Sequence, residues 1–310
     1  MIYLLIAILC GAMFSVVFKI CQIKSISTQQ VILFNYITAA LVNWAPVIVD
    51  IITGGPSRME DYQLQTPSFL LAIMQGIFFM MGFIIMDIST WRNGVALTTI
   101  AARASLVMPV ILSWMLLSQP MPSWMPIVLI LVSMFMIILP NRQQYHDPST
   151  YRSASDEIRK RRAALALAGT FLFYGISDFS MKLVQHTTVA GLTNPELTDC
   201  KLDTLTGVIF IMAALASFIG CLITKCFRKS PIGWKSIVSG AILGCINMCC
   251  TSCTVRGLNE LSTGLFYPIY NIGTVIIATI IGICLFKEKM KWLQFVGLLL
   301  AIIAIMLFFR

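Results

Sequence analysis

The chain has 310 residues, 58% hydrophobic and 11% charged, with a mean hydropathy of +0.87. A soluble domain carries about 25% charged residues, which excludes a soluble enzyme, a nucleic-acid-binding domain and a disordered chain. The net charge of +9 (22 Lys+Arg against 13 Asp+Glu) lies between apolar runs and forms no basic face for nucleic acid. Such a composition belongs in a lipid bilayer.

A helix crossing the hydrocarbon core needs roughly 20 mostly apolar residues and must satisfy its own backbone groups. Ten stretches qualify: 2–20, 31–52, 68–88, 94–118, 123–140, 163–186, 205–226, 235–254, 262–286 and 291–309. The first reads as a span rather than a removable signal peptide. It lacks a basic start and an A-x-A site, and it stays apolar to Phe18. An even number of crossings puts both termini on one side. Residues 141–162 are polar, with Asp156, Glu157 and the basic run Arg159–Arg162, and are expected to link two five-helix halves, 1–140 and 163–310. Residues 187–204 form a second polar connection. Neither is long enough for a soluble catalytic domain, so function is expected among the helices.

Lys and Arg mark orientation, because cytoplasmic connections collect them. Connections after odd-numbered spans carry 16 of them; the opposite side carries four, Arg58, Lys201, Arg256 and Arg310. The count places the odd connections in the cytoplasm and both termini outside.

The halves repeat each other at an offset of 163–169 residues. The first span ends FSVVFKI with Lys19 and the sixth ends SDFSMKL with Lys182. The fourth runs into LLSQPMPSW with Gln119 and Trp124, the ninth into LFKEKMKW with Glu288 and Trp292. Five spans per half make the copies enter the membrane in opposite senses, the architecture of secondary transporters with a site near the midplane.

The segment LSTGLFYPIYNIGTVIIATIIGICLFKEKMKWLQFVGLLLAIIAIML (261–307) resembles the final two helices of EamA-type members of the drug/metabolite transporter superfamily. The F-K-E-K turn followed by a Gly-containing apolar helix is its most specific part. The stretch ALTTIAARASLVMPVILSWMLLSQ (96–119) is similar to the matching helix of the first copy, with Pro109 near the family's usual proline and Gln119 where the family usually has Glu. The resemblance implies an all-α integral membrane protein, about ten transmembrane helices as two inverted five-helix repeats, that exports or exchanges small metabolites. It also implies cytoplasmic termini, against the charge count, so orientation stays open. Small multidrug-resistance relatives use a glutamate in the first helix; the first helix here has no acid.

An ionisable residue at the centre of a membrane helix costs about 2.5–3.5 kcal/mol on insertion scales, so each one within a span is a candidate. Arg103 lies eight or nine residues into the fourth span, roughly 12 Å deep at 1.5 Å per residue. It is either an anchor that snorkels or a fixed cation for a carboxylate or phosphate. Asp178 and Lys182, one turn apart on the sixth span, form a local ion pair or carry the coupling ion. Asn35, Tyr36, Asn247, Tyr267 and Asn271 are expected to line a cavity or to hydrogen-bond between helices. Tyr267 and Asn271 share a face, and Tyr270 lies beside them. Cys245, Cys249, Cys250 and Cys253 cluster on the eighth span without His or acid nearby, and read as small packing residues next to the close-contact pair Gly240 and Gly244.

No P-loop, H-E-x-x-H or G-x-S-x-G is present. The expectation is therefore a non-enzymatic secondary transporter without cofactor or metal. It would work by alternating access in the cell membrane (the inner membrane if bacterial). Its cargo would be amino acids or related organic acids; its partners would be that solute, the bilayer, no nucleic acid, and optionally a second copy as a homodimer. A lipid-linked carrier flippase of related fold and a non-transporting membrane scaffold are the rival readings.

Overall fold

The computed structural model describes residues 2–53, 59–117, 124–143, 154–189, 192, 195–229, 231–260 and 263–307. All regular structure among the described residues is helical. The elements are α1 (Ile2–Ile23), α2 (Thr28–Thr53), a 3-10 turn (Met59–Tyr62), α3 (Thr66–Ala104), α4 (Val107–Leu117), α5 (Trp124–Gln143) and α6 (Ala154–Val189). They continue as α7 (Pro195–Ile223), the single turn α8 (Cys226–Lys229), α9 (Trp234–Glu260), α10 (Thr263–Cys284) and α11 (Trp292–Leu307).

Six helical stretches among the described residues are long and apolar enough to cross a membrane, and Trp124–Ser133, Ile269–Cys284 and Trp292–Leu307 are shorter apolar helices. One of the six, Thr66–Pro109, runs 44 residues. That is about 66 Å of helix at 1.5 Å per residue, twice the hydrocarbon thickness of about 30 Å. The sequence places two spans in it, and the backbone breaks where the second begins. Gly94 adopts φ 88, ψ 174, a region open only to glycine. A second interruption, at Ser105–Leu106, separates α3 from α4. Pro109 cannot donate to the Ser105 carbonyl, which instead receives the Met108 N–H at 2.8 Å.

The long polar connections are shorter than the sequence suggests. α6 begins at Ala154, so Arg159–Arg162 are helical. The stretch ASDEIRKRRAALALAG holds good helix formers and no breaker before Gly169, and acids in the first turn are the residue type that a helix start favours. α6 continues to Val189 and α7 opens on Pro195, proline being pre-shaped for a first helical position.

The chain packs as two compact units: residues Met1–Ile20, Ile85–Ile176 and Cys250–Arg310 form one; Cys21–Ile84 and Ser177–Cys249 form the other. Each draws on both halves of the sequence. In the first unit, Leu97, Ile100 and Ala101 of α3 bury against Ile127 and Ile130 of α5, Leu167 of α6, and Leu298 and Ala301 of α11. A second cluster joins Ala12 and Val16 of α1 to Val95 and Ala278. Small residues recur at these contacts because, among lipid tails, close packing rather than water exclusion holds helices together.

In the second unit α2 packs on α7. Asn43 Nδ2 donates to the Asp203 carbonyl at 2.8 Å, and the Thr206 hydroxyl donates to Asn43 Oδ1 at 2.9 Å. α9 lies against α2 through Gly240 and Gly244. A Cβ on the first would fall 2.8 Å from the Val31 carbonyl oxygen, and on the second 2.6 Å from that of Asn35. Cys245 and Cys249 are exposed while Cys250 and Cys253 are buried. Trp91, Trp124, Trp234 and Trp292 are exposed, the last three as first residues of helices. That is the position of aromatic residues at the rim of a bilayer.

Candidate functional site

The first unit contains a polar arrangement that begins with Glu288, in the connection after α10. Its carboxylate accepts the backbone N–H groups of Val95 (2.7 Å) and Ala96 (3.2 Å). These open the second part of α3, immediately after the Gly94 break. A helix start has unsatisfied N–H groups and partial positive charge, and a carboxylate answers both. The Glu288 N–H donates to the Gly282 carbonyl at 3.0 Å, tying the turn to α10. Hydroxyls stitch across the break, Ser89 to Thr98 at 2.9 Å, and the helix is joined to α1 by Ser15 and Thr99 at 2.9 Å.

The segment so fixed carries Arg103, eight residues beyond Val95 and therefore about 12 Å along the axis. Arg103 is half-buried. Its Nη2 donates to the Tyr270 hydroxyl of α10 at 3.0 Å, and its guanidinium carbon stands 4.6 Å from the centroid of that ring. A hydrogen bond to a charged group is worth about 1.5–3 kcal/mol and a desolvated cation–π contact about 2 kcal/mol. Both contacts offset the insertion cost of the arginine. The Tyr270 hydroxyl also lies 3.6 Å from Cys250 Sγ, which donates to the Ala7 carbonyl at 3.7 Å. α1 meets this group through Gly11. A Cβ there would lie 2.9 Å from both Arg103 Nη2 and Tyr270 Oη. Four helices, α1, α3, α9 and α10, thus converge on one guanidinium, whose planar fork of five donors suits carboxylate or phosphate.

The other sequence candidates fall as follows. Asn271 is buried on α10 beside Tyr270; Tyr267 is on the same helix, with its side chain outside the described residues. In the second unit, Asn247 Nδ2 donates to Asn35 Oδ1 at 3.4 Å. Asn35 Nδ2 is buried and makes no hydrogen bond among the described residues. Tyr36 is fully buried and stacks on Phe83 at 5.5 Å. Asp178 and Lys182 are both exposed on α6. Gln119 lies outside the described residues.

Neither the capping role of Glu288 nor the precedence of Tyr270 over Tyr267 and Asn271 is expected from the sequence. The signal for Glu288 was the acid in F-K-E-K together with a glycine opening the fourth span. The signal for Tyr270 was absent, since Tyr267, Tyr270 and Asn271 are all close enough on a helix for any of them to face Arg103. Cys250 is marked in sequence only as a member of the cysteine cluster, and Gly11 carries no distinguishing mark.

An uncharacterized protein of Haemophilus influenzae is 24% identical over 308 residues, covering 97% of this chain and 95% of that protein. A crystal structure of a further protein shares the fold, with a TM-score of 0.58 at 9% identity over 99% of this chain and 95% of the other. Residues 161–310 match the EamA-like transporter family. Over that segment, which holds several apolar helices long enough to span a membrane, the chain is similar to the EamA-like transporter family.

Proposed function

We propose that the chain is a secondary transporter of small metabolites bearing a carboxylate, such as amino acids or related organic acids. The observation supporting this cargo class is the Arg103–Tyr270 pair, a guanidinium carried into an apolar helix and steadied by a hydroxyl and an aromatic face. A carboxylate arriving there would be taken bidentately. Asn271 and Tyr267 are the further proposed contacts on α10. Asn35, Tyr36 and Asn247 are those of the second unit, where the orphan amide of Asn35 has a donor to offer. Asp178 and Lys182 are assigned to ion coupling. The proposed cycle is alternating access by two inverted five-helix repeats, 1–140 and 163–310, in the cell membrane. Each ligand must bind one state better than another to drive it.

The test is thermal unfolding of detergent-purified protein against a metabolite panel, followed by flux of each hit into proteoliposomes. A ligand at 100 times its Kd stabilises a single site by ~2.7 kcal/mol. A carboxylic acid should shift the wild type and not Arg103→Ala, and only the wild type should transport it. An equal shift in both proteins would remove Arg103 from the site. Movement of lipid-linked carriers with no soluble flux would favour the flippase reading, and no flux of either kind a scaffold.

A further inference from the structure

The two arginines at the α3–α6 contact play no part in the site above. A groove of about 310 Å³ runs between these helices in the first unit, with Ile85 and Ile88 on one wall and Leu165 and Gly169 on the other. Arg92 and Arg162 line the same groove. Asn93 Nδ2 donates to the Ala163 carbonyl at 3.1 Å, which locks the helices together at the level of both arginines. Ile88 and Leu165 are exposed, so in a membrane the groove opens onto acyl chains. Arg92 and Arg162 flank the apolar parts of their helices, on the side whose connections carry most of the lysine and arginine. One end of the groove thus offers planar cations and the rest offers hydrocarbon.

We propose that this groove binds one anionic phospholipid, its phosphate between Arg92 and Arg162 and an acyl chain along Ile85, Ile88 and Leu165. Guanidinium forks match phosphate oxygens bidentately, and basic pockets between membrane helices hold acidic head groups for that reason. A free phosphate would satisfy the arginines and leave the apolar floor unfilled; a zwitterionic lipid would fill the floor but bring its own ammonium beside the two arginines. Charge and shape together therefore select a lipid with net negative charge. The site concerns the lipid around the protein and is independent of the cargo.

The experiment is a titration of delipidated, full-length protein in neutral detergent, read by native mass spectrometry. Its arms are phosphatidylglycerol, phosphatidylcholine and inorganic phosphate. Wild type should retain one phosphatidylglycerol in preference to phosphatidylcholine, and inorganic phosphate at equal concentration should not displace it. The double variant Arg92→Gln/Arg162→Gln should lose about 30-fold in affinity, roughly fivefold per arginine. Arg159→Gln/Arg161→Gln removes the same charge from the same helix outside the groove and should bind as wild type. Gly169→Leu leaves both arginines intact. A Cβ there meets Ile85 Cγ2 at an ordinary 3.5 Å, so the added branch fills the groove and should weaken binding. Equal retention of the two lipids, unchanged binding by either groove variant, an equal loss in the control variant, or displacement by phosphate would each overturn the proposal. Circular dichroism and elution profile confirm that every variant compared is folded.

Discussion

The carboxylate of Glu288 occupies a notch that Gly94 keeps open: a Cβ at Gly94 would lie 2.5 Å from the Glu288 carboxyl carbon. The same glycine, at φ 88, makes the backbone turn that presents the Val95 and Ala96 N–H groups to that carboxylate. Gly282 forms the other wall, its absent Cβ leaving room 2.6 Å from Glu288 Oε2. Acid and glycines are therefore one device that starts a helix inside a longer one.

Gly94→Ala should be among the most damaging small substitutions in the chain. It places a side chain in a backbone region that costs about 1–3 kcal/mol for a non-glycine residue, and it pushes on the capping carboxylate as well. Thermal unfolding in detergent should fall by at least that equivalent. Flux should fall with it, because the displaced helix carries Arg103.

Substitutions of Glu288 should rank by what they leave on the two N–H groups. Glu288→Gln keeps one acceptor oxygen, but turns an amide donor toward the other N–H and loses the charge. Glu288→Ala leaves both without partner. The loss of a capping side chain is worth about 0.5–2 kcal/mol, so unfolding temperature should fall in the order wild type, Gln, Ala. Equal melting of all three would show that the cap contributes nothing.

Tyr270→Phe separates the two contacts on Arg103. The ring stays over the guanidinium and the hydroxyl acceptor is gone, a loss of about 1.5–3 kcal/mol for a hydrogen bond to a charged group. Tyr270→Ala loses both contacts. If Arg103 binds cargo, Tyr270→Phe should raise the solute KM through a mispositioned guanidinium. If the arginine is a structural anchor, stability should drop and KM should not move.

Two glycine-to-alanine changes should have opposite signs. At Gly244 the new Cβ would fall 2.6 Å from the Asn35 carbonyl oxygen and push α9 from α2, with overpacking of about 1–3 kcal/mol. At Gly220, within α7, an added Cβ would meet nothing within 4 Å among the described residues. Alanine there should stabilise by about 0.5–1 kcal/mol through helix propensity. Unfolding of the two variants side by side checks both signs.

Much of this architecture is legible in the sequence because hydrocarbon imposes length and polarity on each crossing. The fourth span was placed to begin at residue 94, where the backbone does break, although nothing in composition distinguishes a break without a loop from a connection. Arg103 was legible for the same reason, as a charge where charge is expensive. Its partner was not. Positions 267, 270 and 271 differ by fractions of a helical turn, and which of them meets Arg103 depends on how α10 is rotated by packing. Gly11 was invisible because its role is the space it leaves. The basic run Arg159–Arg162 looks like a linker in sequence because it is polar, yet helix formers without a breaker continue a helix past the bilayer edge.

α6 passes without interruption from one compact unit into the other, at Ile176–Ser177. This has a consequence for biosynthesis. The second unit holds all its residues once Cys249 has been made, but the first awaits Cys250–Arg310, although it includes the first helix translated. α1 must therefore wait in the bilayer for α10 before Gly11 meets Tyr270, and a ribosome halted after residue 249 would release one complete unit and one unfinished. Cutting the gene at the polar connection near residue 150 divides both units, so the two fragments should assemble only when produced in the same membrane.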